Sequence, residues 1–186
     1  MQWNIPNILT SVRIVLIPVI VLVYYLPYPW VNMACSAIFA VAAITDWLDG
    51  YLARKMQITT RFGAFFDPVA DKLMVVFALV LLVGTFQEAW FSIPAAVIVG
   101  REIAISALRE WMAEIGERAQ VAVSYIGKIK TTAQMLSLVL LLYREPIGFF
   151  PTEAAGILLL YLAALLTLWS MIIYLRAAWP ILMRSD

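Results

Sequence analysis

Long apolar runs alternate with short polar breaks along this chain, and the runs are longer than the elements of a soluble core. Six of them read as membrane-spanning helices, over about 8–26, 31–54, 62–86, 90–112, 121–143 and 154–178. The breaks carry turn chemistry: Pro27 with Pro29, residues 57–60, residues 85–88, Gly116, and Pro146 with Gly148. Hydrocarbon offers no partner to backbone N–H and C=O groups, so each span must close its hydrogen bonds internally, as a helix does. The expected fold is an all-α integral membrane protein of six transmembrane helices, forming a single domain over 1–186. The apolar stretch from Ile14 to Tyr25 has no basic residue before Arg13 and reads as a retained first helix, not as a cleaved leader.

Composition agrees with lipid as the solvent. Of 186 residues, 64% are hydrophobic and 13% are charged, against about half and a quarter in soluble domains. A net charge of +1 argues against a nucleic-acid surface. Histidine is absent, which removes the commonest general base and transition-metal ligand. With Cys35 as the one cysteine, neither an intrachain disulfide nor a Cys/His zinc site can form.

The basic residues set a direction. Of the 13 Lys and Arg, Arg144 alone falls near the breaks at 27–30, 85–89 and 144–153, and the rest lie at the opposite face. The positive-inside rule then places both termini and the charged face in the cytoplasm. The aromatic residues Tyr24, Tyr25, Tyr28, Trp30, Phe149 and Phe150 suit the opposite interface.

The third span breaks the pattern of a passive anchor. Its uncharged stretch, Met74 to Gln87, covers about 21 Å at helical rise, short of a hydrocarbon core of about 30 Å. The helix must therefore run back through Lys72, Asp71 and Asp67. The fourth and fifth spans likewise take in Arg101 with Glu102, and Lys128 with Lys130. Charges at that depth cost a few kcal/mol each on insertion scales, roughly, and normally face a cavity. A polar active-site cavity open to the cytoplasm is expected.

Acidic residues dominate it. Asp46, Asp49, Gly50 and Ala53 fall within a helical arc of about 100°. Gly63, Asp67 and Asp71 recur at i, i+4 and i+8. The short connection between the two spans makes antiparallel neighbours of them, so four carboxylates can face one gap. Like charges there require cations, and hard divalent ions suit oxygen ligands. Four Asp suit two Mg²⁺ or Mn²⁺ ions, an arrangement used in phosphoryl transfer. Gly50 and Ala53 leave room for close approach of a ligand, and Arg54 can hold a phosphate.

These residues resemble a known signature. Asp46-x2-Asp49-Gly50-x2-Ala53-Arg54-x8-Gly63-x3-Asp67-x3-Asp71 is similar to the motif of the CDP-alcohol phosphotransferases at all eight positions. Chance agreement at a given start is on the order of one in ten billion, so the resemblance is specific for reaction class. It implies transfer of a phosphatidyl group from CDP-diacylglycerol to an alcohol with release of CMP. It further implies that Asp46, Asp49, Asp67 and Asp71 hold two metals and that Asp71 is the base. Asp49, Gly50, Ala53, Arg54, Gly63, Asn7 and Thr10 would then bind CDP-diacylglycerol. A homodimer among membrane lipids is implied as well.

Three further segments resemble bacterial members that use glycerol 3-phosphate, which implies a cell inner membrane. They are Pro6-Asn7-x-Leu9-Thr10-x2-Arg13, the stretch from Arg101-Glu102 through Ser106 to Arg109-Glu110, and Gly127-Lys128-Ile129-Lys130-Thr131-Thr132-x-Gln134. Arg109, Lys128, Lys130, Arg13 and Arg101 are the candidates for its phosphate. Lys128 and Lys130 lie about 200° apart on an ideal helix, which disfavours both pointing inward. Serine, inositol phosphate or phosphatidylglycerol as acceptor would use the same chemistry. A cation transporter is disfavoured, because the intramembrane charges gather at one side. For Arg109, Lys128 and Lys130, headgroup contact competes with acceptor binding. Glu102, Glu110, Glu114 and Glu117 read as ion-pair partners on a solvated face.

Overall fold

A computed structural model describes residues 5–56, 61–116 and 125–183. Its described residues form six helices: α1 (Ile5–Tyr24), α2 (Val31–Met56), α3 (Arg61–Phe86), α4 (Ala89–Glu114), α5 (Tyr125–Tyr143) and α6 (Thr152–Leu182). The six expected spans are all present, shifted by a few residues at their ends. The largest shift is in α6, expected to stop at 178, which continues through Pro180 to Leu182. A proline forfeits one backbone bond and kinks a helix without always ending it. Pro18, Pro68 and Pro94 also lie inside helices. Residues 121–124, expected to open the fifth span, lie outside the described residues.

Among the described residues, Phe65–Phe86, Ala89–Glu114 and Thr152–Leu182 are long and apolar enough to cross a membrane, and Ile8–Tyr24, Val31–Asp46 and Ile129–Tyr143 are further apolar helical stretches. Large apolar side chains point outward along the bundle: Leu22 is 71% exposed, Leu158 71% and Leu165 64%. Such a surface is the solvated face of a protein whose solvent is lipid.

Packing places α5 at the centre, against α6, α2 and α3; α6 also lies along α4, and α1 packs on both α2 and α3. Cys35, Phe39, Leu79, Leu82, Phe91, Ile98, Leu138, Leu141 and Leu160 fill the core. The α5–α6 contact is the closest. A Cβ built on Gly156 would stand 2.8 Å from Leu141 Cγ, and Ser137 Oγ donates to the Gly156 carbonyl at 2.7 Å. Small residues let helix backbones approach in this way where no hydrophobic effect drives them together.

Three helices end alike. Gln87 (φ 52), Gly116 (φ 76) and Arg144 (φ 61) follow α3, α4 and α5 in the left-handed region, and the Gln87 and Arg144 N–H groups donate back to Val83 and Leu140 carbonyls at 3.0 and 2.9 Å. The turn closes otherwise orphaned C-terminal carbonyls. Arg144, the one basic residue near the breaks at 27–30, 85–89 and 144–153, is held locally: it donates to Asn32 Oδ1 at 2.8 Å and lies over the Tyr24 ring.

Candidate active site

Three carboxylates gather around α1. Thr10 and Arg13 lie three residues apart on one face of that helix, both buried, at 0% and 1% exposure. Thr10 Oγ1 donates to Asp67 Oδ1. Arg13 NH1 sits between Asp46, at 2.9 Å from its Oδ1, and Asp71, to which it also donates. Both carboxylates remain about a third exposed, at 34% and 36%. Beneath them a gap of about 10 Å³, lined by Phe39, Ala42, Met74 and Met135 among others, is close to the smallest that admits one water. The aspartates thus lie on an apolar floor, with one buried cation between two of them.

Carboxylates of α2 and α3 thus face each other, with Arg13 of α1 between them. Among the described residues those two helices touch sparsely, and α1 packs against both. A short connection fixes the ends of two helices close together but not their faces, and α1 fills the space between. Arg13, expected among the acceptor-phosphate cations, lies instead with the aspartates. A cation in an apolar stretch needs an anionic partner, and that is the signal its position in the sequence carries.

The donor set suits hard cations. Arg13 offsets one negative charge, while Asp46, Asp67 and Asp71 bring three oxygen-donor groups to α1. Among the described residues no three acidic or cysteine side chains are gathered tightly enough to hold one ion. The guanidinium stands between two of the carboxylates, in a position suited to positive charge. Asp49, Gly50, Ala53 and Arg54 belong to the last turns of α2 and Asn7 to the first turn of α1, but their side chains lie outside the described residues. The same holds for Lys128 on α5. Gly63 is buried near the start of α3.

A second polar cluster lies across α3. A cavity of about 110 Å³ is lined by Asp71, Lys72, Glu102, Lys130, Thr131 and Gln134, with Val75 and Met135. Lys130 is buried, and its Nζ meets Glu102 Oε1 at 2.9 Å. Arg101 NH1 meets the same oxygen at 2.9 Å. Glu102 is an ion-pair partner as expected, but it is 19% exposed and lies between helices, not on a solvated face. Arg101 also donates to Ser170 Oγ at 3.2 Å. Arg109 donates to the Tyr174 hydroxyl at 2.8 Å, and both guanidinium groups approach the Tyr174 ring, at 5.8 and 5.2 Å. Lys130 therefore shares a cavity with Asp71, while Arg101 and Arg109 are tied to α6. An open groove of about 320 Å³ continues from this cavity past Lys72, Ser106 and Glu110.

The sequence carries no signal for Ser170, Tyr174 or the inward position of Glu102. They belong to no motif, and their role comes from helix packing that a linear pattern does not encode.

Comparison with known proteins identifies the family. Residues 3–169 match the sequence model of the CDP-alcohol phosphatidyltransferase family. The chain is 59% identical over 179 residues to a protein of Yersinia enterocolitica, covering 96% of this chain and 97% of that one. It is 57% identical over 178 residues to one of Salmonella choleraesuis, covering 96% of each. A protein of Sodalis glossinidius is 59% identical over 178 residues, again 96% of each. All three relatives are called CDP-diacylglycerol--glycerol-3-phosphate 3-phosphatidyltransferase.

Proposed function

Since the chain belongs to the CDP-alcohol phosphatidyltransferase family, we propose that it transfers the phosphatidyl group of CDP-diacylglycerol to glycerol 3-phosphate. The products are phosphatidylglycerophosphate and CMP, a step of anionic phospholipid synthesis. The observation that carries this reading is the shared cavity: Asp71, from the aspartate signature, and Lys130, a buried cation, line one space. A base and an anchor for an anionic acceptor are what the reaction needs side by side.

The acceptor brings its own phosphate, which Lys130 would hold, with Arg109, Lys128 and Arg101 as further candidates. Its free hydroxyl then lies toward Asp71, which removes the proton as the oxygen attacks the lipid-linked phosphorus. The bond from that phosphorus to the CMP oxygen breaks, and CMP leaves. Without histidine in the chain, a carboxylate is the available base. The family is divalent-metal dependent. Asp46, Asp49, Asp67 and Asp71 are the residues suited to hold two ions, Mg²⁺ or Mn²⁺, and ions bound there would neutralise pyrophosphate charge as CMP departs. Asn7, Thr10, Gly50, Ala53, Arg54 and Gly63 would bind the nucleotide part. Thr10 and Arg13 orient Asp67 and Asp71 from the α1 side.

The lipid tails of the donor remain in the bilayer while glycerol 3-phosphate comes from water, so the site must open to both. We place that opening and both termini at the cytoplasmic face of a bacterial inner membrane, with the whole chain as one domain and a homodimer as the assembly. CMP release from CDP-diacylglycerol tests the activity. Release that depends on glycerol 3-phosphate is expected; release with serine, inositol phosphate or phosphatidylglycerol instead would reassign the acceptor.

A further inference from the structure

Gln134 has no role in the reaction described so far. It lies one turn beyond Lys130 on α5 and lines the cavity that holds Asp71 and Lys130. The side chain is 5% exposed, and its Oε1 has no hydrogen-bond partner among the described residues. A buried amide oxygen left unpaired is costly, and such groups are rare in native interiors. The terminal torsion of a glutamine is broad, so the amide is free to turn its oxygen toward a ligand. At about 110 Å³ the cavity has room for several waters, and hence for a small polar molecule.

Three other polar groups of this cavity have partners within the protein. Lys130 and Glu102 pair with each other at 2.9 Å, and Asp71 accepts from Arg13. In the function proposed above, an acceptor bound here places its phosphate at Lys130 and its reacting hydroxyl at Asp71. Glycerol 3-phosphate has one more polar group, the hydroxyl on its middle carbon. We propose that Gln134 Oε1 accepts the hydrogen bond of that middle hydroxyl and so selects a vicinal diol phosphate over an acceptor with one hydroxyl. Gln134 contributes orientation and specificity and takes no proton. A site built to pair a substrate hydroxyl discriminates strongly against the analogue that lacks it, because its own polar group is then left buried and unpaired.

This inference rests on the acceptor assignment, and one experiment separates the two. The full-length protein in mixed micelles with CDP-diacylglycerol is given either glycerol 3-phosphate or 3-hydroxypropyl phosphate, and CMP release is measured. The second acceptor keeps the phosphate and the primary hydroxyl and lacks the middle one. The unaltered protein is expected to prefer glycerol 3-phosphate by at least about tenfold in kcat/KM. Gln134→Met, similar in length but with no acceptor oxygen, is expected to reduce that preference to near one. Equal use of the two acceptors by the unaltered protein overturns the inference without recourse to any variant. A Gln134→Met protein that keeps the full preference overturns it too, as does one that loses both activities alike, which marks a structural role. If the unaltered protein ignores glycerol 3-phosphate and uses a different alcohol, the acceptor assignment itself falls.

Discussion

Arg13 is a fully buried cation held by two carboxylates that water still reaches. Its removal leaves Asp46 and Asp71 facing each other across an apolar floor. Arg13→Gln is expected to lower stability by roughly 1–3 kcal/mol, below the range for a fully buried pair because both acids are partly solvated. A thermal melt in detergent reads this, and Arg13→Lys should recover part of the loss. Asp71→Asn removes the proton acceptor while keeping size and a hydrogen-bond partner for Arg13. It should cut CMP release by about 10²-fold or more and leave CDP-diacylglycerol binding largely intact; normal turnover would remove Asp71 as base. Lys130→Ala should raise KM for glycerol 3-phosphate more than KM for the lipid, and an unchanged acceptor KM would count against its phosphate role. At this scale the sequence was informative where chemistry is spaced along one helix. Asp67 and Asp71 share a face because they are four residues apart. It was silent where partners come from different helices. Nothing about position 13 alone specifies Asp46 and Asp71 as its partners, and nothing about Tyr174 specifies two arginines of α4.

Helices are decided by composition over tens of residues, so all six could be read from apolar runs. Their mutual order could not. The packing of α1 against both α2 and α3 brings Arg13 to its counter-charges, and no periodicity along the chain encodes it. A local stop signal yields where its context is stronger, as at Pro180, past which α6 continues. The α5–α6 contact gives a test at this level. Gly156→Val puts branched bulk where even a Cβ would be 2.8 Å from Leu141 Cγ. Overpacking of this kind costs about 1–3 kcal/mol, and the expected result is a lower melting temperature. Gly84→Val, at a glycine with open space around it, should cost far less. Similar losses at both positions would mean that intrinsic helix propensity, not packing, governs the contact.

For the whole molecule the open question is direction. Cys35 is buried, so the natural chain should be quiet toward thiol reagents, and added cysteines can report sidedness. With the charged face in the cytoplasm, Phe149→Cys should react with a membrane-impermeant maleimide in right-side-out spheroplasts. Met183→Cys should react only after permeabilisation. Both positions are well exposed, at 109% and 62%, so the reversed pattern would invert the proposed orientation.

The length of α6 bears on the depth of the site. Its 31 residues extend about 46 Å at helical rise, whereas a bilayer core is about 30 Å thick. Tilt alone would have to approach 50° to hide that length, beyond the usual range of about 0–40°. The turns around Arg176 and Trp179 must therefore stand in the headgroup layer. Ser170, which receives the Arg101 bond, then lies about 9 Å inward of Arg176. In the orientation proposed above, the Arg101–Glu102–Lys130 ion cluster lies below the membrane surface, at a depth that depends on bilayer thickness. A thicker bilayer draws this cluster further from water and should slow entry of the water-soluble acceptor more than entry of the lipid.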